Sequence, residues 1–226
     1  MSYPQCDAHA PARVRNDSYG SAYAFVLILF AVVPFVYCPG GYNPYGPAKI
    51  SAAVIAAYCA LLLYAAAGKR AQRASAPDIS PGTPLLLFTL IAAASSALAL
   101  NKWLALKEFL YLAGMPALYF VSLKVLRDSA RIKQLLTVSA FAAGGVSLIG
   151  ILQYFFILPY EYVQWGDRVA ALFDDPNNLG GYLAWNLCAV LALIASGHSP
   201  KRRAVLCAPA ALMLVCLLMS NSRSGW

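Results

Sequence analysis

The stretch Leu135-Leu-Thr-Val-Ser-Ala-Phe-Ala-Ala-Gly-Gly-Val-Ser-Leu-Ile-Gly-Ile-Leu-Gln-Tyr-Phe-Phe-Ile-Leu158 decides the fold class. It holds no Asp, Glu, Lys, Arg or His, and its apolar residues do not follow the period of 3.6 or 2 that a water-facing element keeps. Coiled as a helix it measures about 36 Å, enough to cross a bilayer core of roughly 30 Å. Six similar blocks flank it: Tyr19–Tyr37, Ile50–Gly68, Leu85–Leu100, Phe109–Leu126, Leu179–Ser196 and Ala204–Ser220. The expected fold is all-α, a polytopic transmembrane helix bundle of about seven spans. The third block is short, and Asn101-Lys102-Trp103 after it suggests an interfacial turn. The third and fourth blocks could instead form one tight hairpin that does not fully cross. Lipid offers no hydrophobic drive between helices, so Gly144, Gly145 and Gly150 are expected to permit close helix approach.

Composition agrees. The 226 residues are 61% hydrophobic and 12% charged, with a mean hydropathy of +0.63, against about 45–50% and 25% in soluble domains. The net charge of +8 does not indicate a nucleic-acid partner, because the basic residues form short clusters at the ends of the blocks without interleaved aromatics. The six cysteines lack paired spacing, and Cys59, Cys188, Cys207 and Cys216 sit inside apolar blocks, so no disulfide or metal site is expected. Residues 1–18 are polar and the first apolar block is too long for a signal peptide, so that block reads as a retained span.

The distribution of Lys and Arg sets the expected orientation. Arg13 and Arg15, Lys69 to Arg73, Lys124 to Lys133, and Lys201 to Arg203 hold twelve of the seventeen basic residues, all in alternate connections. Those segments are expected to be cytoplasmic, with the N-terminus inside and the C-terminus outside. Asn16-Asp17-Ser18 fits a glycosylation pattern but falls on the inner side. The organisation expected is a cytoplasmic tail over 1–18, N-terminal membrane helices over 19–158, and a second unit over 159–226 comprising an outward loop and two spans.

Two polar clusters face outward in this scheme. The first is Arg168-Val-Ala-Ala-Leu-Phe-Asp-Asp-Pro-Asn-Asn-Leu-Gly-Gly-Tyr-Leu183. Asp175 suits an N-cap, Pro176 the first helical position, and both aspartates complement the helix dipole. A helix start does not need Asn177, Asn178 or Gly180-Gly181, however, and the glycines cost helix propensity. Asparagine amides beside glycines that admit a close approach suit a polar ligand. Arg168 either pairs with Asp167 or Asp174 in a wet loop or serves as a fixed cation for a lipid-linked diphosphate. The second cluster, Ser220-Asn-Ser-Arg-Ser-Gly-Trp226, is either an interfacial end with a snorkelling Arg223 or a second cation with hydroxyl donors. Lys107-Glu108 reads as an interfacial anchor. His9 and His198 fall on the inner side and cannot serve outward chemistry.

Taken in order, the two clusters resemble the O-antigen ligase and O-antigen polymerase family of bacterial envelope glycosyltransferases. That family carries an arginine, then Phe-x-x-Pro-Asn-x-Leu-(Ala/Gly)-x-Tyr-Leu opening a helix, then Ser-x-Ser-Arg-(small) about one hairpin later. Here these are Arg168, then Phe173, Pro176, Asn177, Leu179, Gly180, Tyr182 and Leu183, then Ser220, Ser222, Arg223 and Ser224. The resemblance covers about Arg168 to Trp226 and implies a multi-pass, metal-independent enzyme of the bacterial inner membrane that needs no cofactor. Its donor would be a glycan on undecaprenyl diphosphate, and its acceptor a lipid A-core sugar, another glycan or a protein on the periplasmic side. Arg168 and Arg223 would hold the donor diphosphate, with Asp175, Pro176, Asn177, Gly180 and Ser222 shaping the site. Ala171 stands where many members have glycine. The family's proposed base is a histidine on a large periplasmic loop further along, which this sequence does not include. The chain therefore reads as an N-terminal part of such an enzyme, without expected turnover by itself. The other reading is a non-catalytic membrane scaffold or polysaccharide transporter, for which Pro34 and Pro116 could break helices.

Overall fold

The computed structural model describes residues 19–38, 45–68, 82–126, 128–155, 157, 168–196, 199–223 and 225. The N-terminal tail, both histidines, Glu161, Asp167, Ser224 and Trp226 lie outside those residues. The described chain is all-helical, with seven α-helices: α1 (Gly20–Val32, continued by a 3-10 turn over Val33–Phe35), α2 (Gly46–Gly68), α3 (Thr83–Leu98), α4 (Lys102–Val125), α5 (Ser129–Tyr154), α6 (Pro176–Ala195) and α7 (Pro200–Ser220). Five of them, α2 and α4 to α7, are long and apolar enough to cross a membrane, the mark of a multi-pass membrane protein. α1 and α3 are shorter apolar helices.

Several helices begin before their apolar runs. The Asn101 side chain accepts a hydrogen bond from Leu104 N at 3.1 Å, which starts α4 at Lys102 rather than Phe109. α2 starts at Gly46, α5 at Ser129 and α7 at Pro200, each ahead of the apolar block it contains. Hydropathy marks the residues that belong in hydrocarbon, whereas the helix continues until a cap or water takes over its terminal N–H groups. Lys49, Lys102, Arg131, Lys133 and Lys201 to Arg203 therefore lie on helices rather than in connections. The link Ala99–Asn101 makes α3 and α4 a tight hairpin. At 1.5 Å per residue α3 is about 24 Å long, and none of its residues is buried.

Long-range contacts fix which helix ends meet. Near the start of α1, the Tyr23 hydroxyl donates to Gln134 Oε1 near the start of α5, at 2.8 Å. The Arg131 guanidinium lies 4.8 Å from the Tyr23 ring centroid. At the other end, Lys49 Nζ near the start of α2 donates to Val36 O after α1 (2.7 Å) and to Leu172 O before α6 (2.6 Å).

The described residues form two cores. One joins α1, α2, α4 and the start of α5 around Val26, Ala60, Val121 and Leu135. The larger joins α5, α6 and α7 around Val146, Leu179, Leu183, Val190 and Met213. The glycines of α5 serve the close packing expected of them. A Cβ on Gly144 would lie 2.8 Å from Pro209 Cβ in α7, and one on Gly145 would lie 3.0 Å from Phe35 Cζ. Ser139 Oγ donates to Asn186 Oδ1 at 2.6 Å, a buried polar tie between α5 and α6. The Asn186 amide also donates to Tyr182 O at 2.9 Å. Such bonds contribute about 0.6 kcal/mol on average in membrane bundles.

Candidate functional site at the head of α6

The segment 168–175 enters α6 through a cap. Asp175 has an extended backbone (φ −142°, ψ 136°), its carboxylate accepts from Asn177 N at 2.5 Å, and Pro176 is the first helical residue. One turn on, Asn178 Nδ2 donates to Asp174 Oδ1 at 3.0 Å. Leu179 and Leu183 then point into the core and are fully buried. Phe173 and Tyr182 lie ring to ring, 5.1 Å between centroids. The apolar and aromatic positions of this run therefore anchor the start of the helix.

The polar positions tie this start to the end of α7. Arg168 Nε donates to Ser220 O at 3.1 Å, and its Nη2 donates to Asn177 Oδ1 at 3.0 Å. Ser222 Oγ donates to the same Asn177 oxygen at 3.3 Å. Val169 N donates to Met219 O at 3.3 Å. The two sequence clusters thus form one structure, with Asn177 Oδ1 as the shared acceptor. A guanidinium held by two protein acceptors is a cation fixed in position, and it stands at the positive end of the α6 dipole.

Gly180 departs from its expected use. A Cβ there would collide with the Ser222 side chain, and Gly225 lies close beyond it. The space the glycine opens is filled by the chain's own Ser222-to-Gly225 turn and not by a ligand. Gly181, by contrast, has nothing within 4 Å of a built Cβ. The turn itself begins at Asn221, whose left-handed backbone (φ 46°) ends α7. Ser220 and Ser222 are fully buried, and Arg223 is exposed.

Beneath Arg168, Val169, Ala170 and Ala171 are buried. Gly150 of α5 makes room for them, since a Cβ there would lie 2.9 Å from Val169 Cγ1 and 3.0 Å from Ala171 Cβ. This non-helical backbone is packed against protein, the condition under which such backbone is tolerated in membrane proteins. Ala171 has a positive φ of 50°, a conformation that glycine adopts without cost. Two buried polar atoms at this end of the bundle, Tyr182 Oη and Gln153 Oε1, have no hydrogen-bond partner among the described residues.

One further cation belongs to the cluster. Besides donating to Leu172 O, Lys49 Nζ sits 5.3 Å from the Phe173 ring centroid and 5.5 Å from that of Tyr45. Sequence reading singled out no role for Lys49, which directly precedes the apolar block Ile50–Gly68. The available signal was a single lysine opening a long apolar run, where it must snorkel towards a polar partner. Lys107 and Glu108 pair with each other at 3.7 Å on an exposed part of α4, as an interfacial anchor would. The site therefore offers two positioned cations, Arg168 and Lys49, an exposed third, Arg223, and a helix N-terminus, flanked by Asp174 and Asp175. Such a set favours an anionic oxygen-rich group at the membrane surface. No protein-family model, curated protein sequence or solved structure matches the chain.

Proposed function

We propose that the chain forms the donor side of a bacterial inner-membrane glycosyltransferase of the O-antigen ligase or polymerase type. The observation that carries this is the joining of the two sequence clusters through Arg168, Asn177, Ser220 and Ser222 at one end of the bundle. The reading also takes the chain to cross the membrane about seven times with its N-terminus in the cytoplasm, on the strength of the basic-residue distribution. The cluster then faces the periplasm, where a glycan on undecaprenyl diphosphate is presented.

In the transfer, an acceptor hydroxyl attacks the anomeric carbon of the donor sugar. The bond from that carbon to the diphosphate oxygen breaks, and undecaprenyl diphosphate leaves with the electron pair. Arg168 and Arg223 offset the charge that grows on the leaving oxygens, an effect that is large where donors are fixed beforehand. Asp175, Pro176 and Asn177 hold the start of α6, and Gly180 with Ser222 brings the Arg223 turn against it. The acceptor is a lipid A-core sugar, another glycan or a protein. The acceptor hydroxyl gives its proton to a general base, for which the resemblance implies a histidine on the family's large periplasmic loop.

The test replaces Arg168 and Arg223 singly with lysine in the complete protein and measures glycan-capped lipopolysaccharide in cells. The expected result is a loss of at least about tenfold for each at normal membrane levels, since lysine keeps the charge but not the planar fork. Undiminished capping in both variants would sink the proposal. A second reading rests on the same contacts, because the acceptors of Arg168 are protein groups: the arginine would be a structural tie in a non-catalytic scaffold or a polysaccharide transporter. On that reading Arg168→Lys lowers the amount of protein in the membrane and Arg223→Lys changes nothing.

A further inference from the structure

At the opposite end of the bundle, α5 and α7, with Ser196 and Ser199 from between α6 and α7, border an open cavity of about 990 Å³. It lies the length of α7 from Arg168, about 30 Å at 1.5 Å per residue. Among the described residues three basic side chains line it, Lys133 from α5 and Lys201 and Arg202 from α7, and no carboxylate does. None of the three has an ion-pair partner among the described residues.

The electrostatics of this corner are unusual for a helix start. The first turn of α7 carries Lys201 and Arg202 and no acidic residue, and Ser199 makes no side-chain cap bond. Positive side chains there oppose the positive end of the helix dipole, which normally attracts Asp or Glu. A topology signal accounts for basic residues at a span end. It does not account for their meeting Lys133 of another helix around a cavity.

The lining is also graded along the helices. On α5 it passes from Lys133 to Phe141, a rise of about 12 Å, and on α7 from Arg202 to Val205 and Leu206. Phe141 is 48% and Val205 56% exposed, apolar surface on the side where acyl chains lie. Cations at one depth and apolar groups one to two turns deeper match an amphiphile and not a free ion. Thr137 spends its hydroxyl on Lys133 O, so the cations are left as the main determinants of the headgroup end.

We infer that this cavity binds an acidic phospholipid, with the phosphate between Lys133, Lys201 and Arg202 and the acyl chains along Phe141 and Val205. The site is separate from the Arg168 cluster and does not depend on the function proposed for it. The test uses the intact chain purified in neutral detergent. Phosphatidylglycerol, phosphatidylcholine and inorganic phosphate are each added, with bound lipid read by native mass spectrometry and stability by thermal unfolding.

Phosphatidylglycerol is expected to bind and to raise the unfolding temperature, with phosphatidylcholine and inorganic phosphate ineffective. Apparent affinity falls roughly fivefold for each cation replaced in the series Lys133→Gln, Lys201→Gln and Arg202→Gln. Lys133→Arg with Lys201→Arg keeps it. Equal binding of phosphatidylcholine, or a preference for phosphatidylglycerol that survives all three glutamines, overturns the inference. Stabilisation by inorganic phosphate alone overturns the lipid assignment. Should the glutamine variants fail to fold, a salt titration of the unaltered chain decides instead. The preference must weaken as added salt screens the cations, and its persistence at 1 M NaCl is a negative result.

Discussion

The α5–α7 unit and the α2–α4 layer are both built from apolar helices but use them differently. Along the apolar stretch of α5, 50% of the residues are buried, against 17% along α2 and 22% along α4, and α3 buries none. Leu90 and Ile91 of α3 are about two-thirds exposed, at 66% and 67%. In water this surface would be costly, but in a bilayer it meets lipid tails as apolar as itself. The α5–α7 unit is held by backbone proximity: Gly144 against Pro209, Gly150 against the 168–171 segment, and Gly180 against Ser222. The candidate site lies at the end of this unit. Fixing a guanidinium to within hydrogen-bond tolerance requires a scaffold whose helices cannot slide, and small-residue contacts supply that.

The contrast can be broken most directly at the paired glycines. Gly180→Val should destabilise by about 3 kcal/mol, the upper range for overpacking, while Gly181→Ala should be neutral or stabilising by under about 1 kcal/mol through helix propensity. Unfolding of the purified protein in micelles measures both, and similar values for the two would show that the Ser222 turn does not close on Gly180. Next in size, Gly150→Val should cost about 2 kcal/mol by pushing on Val169 and Ala171. Leu90→Ala on α3 should cost less than about 0.5 kcal/mol in the same assay, because its side chain faces lipid in both cases. A cost for Leu90→Ala approaching that of Gly150→Val would mean that α3 packs against a partner.

Smaller effects sharpen the site itself. Asp175→Ala removes the cap bond to Asn177 N and should cost about 1 kcal/mol, with hydrogen exchange rising first in the opening turn of α6. Exchange spread evenly along the helix would count against a local cap. The smallest change runs the other way. Ala171→Gly relieves a positive φ and should stabilise by up to about 1 kcal/mol, seen as a modest rise in the unfolding midpoint. A drop would mean that the Ala171 methyl packed on Gly150 outweighs its backbone strain.

Much of this was legible in the sequence, for reasons that particular residues make plain. Apolar blocks locate helices because each lipid-facing turn must be apolar whatever its neighbours are, so all seven blocks coincide with helices. The start of α6 was also readable, since Asp175 and Pro176 act on their own helix. The starts of α2, α4, α5 and α7 were not, because their first turns carry Lys49, Lys102, Arg131 and Lys201, which hydropathy scores as connection. Contacts between distant segments were the least legible. The reach of Lys49 to Leu172 O spans 123 residues and uses a carbonyl that every residue type possesses. The role of Gly180 was read as space for a ligand because nothing local says that Ser222 occupies it.

The bond from Arg168 to the Ser220 carbonyl has a consequence for biogenesis. Membrane helices are inserted in order, and the acceptor for Arg168 Nε sits at the distal end of α7. While α6 is being laid down, Arg168 has neither that carbonyl nor the Ser222 hydroxyl that shares Asn177. The head of α6 is therefore completed only after the α6–α7 hairpin has been threaded.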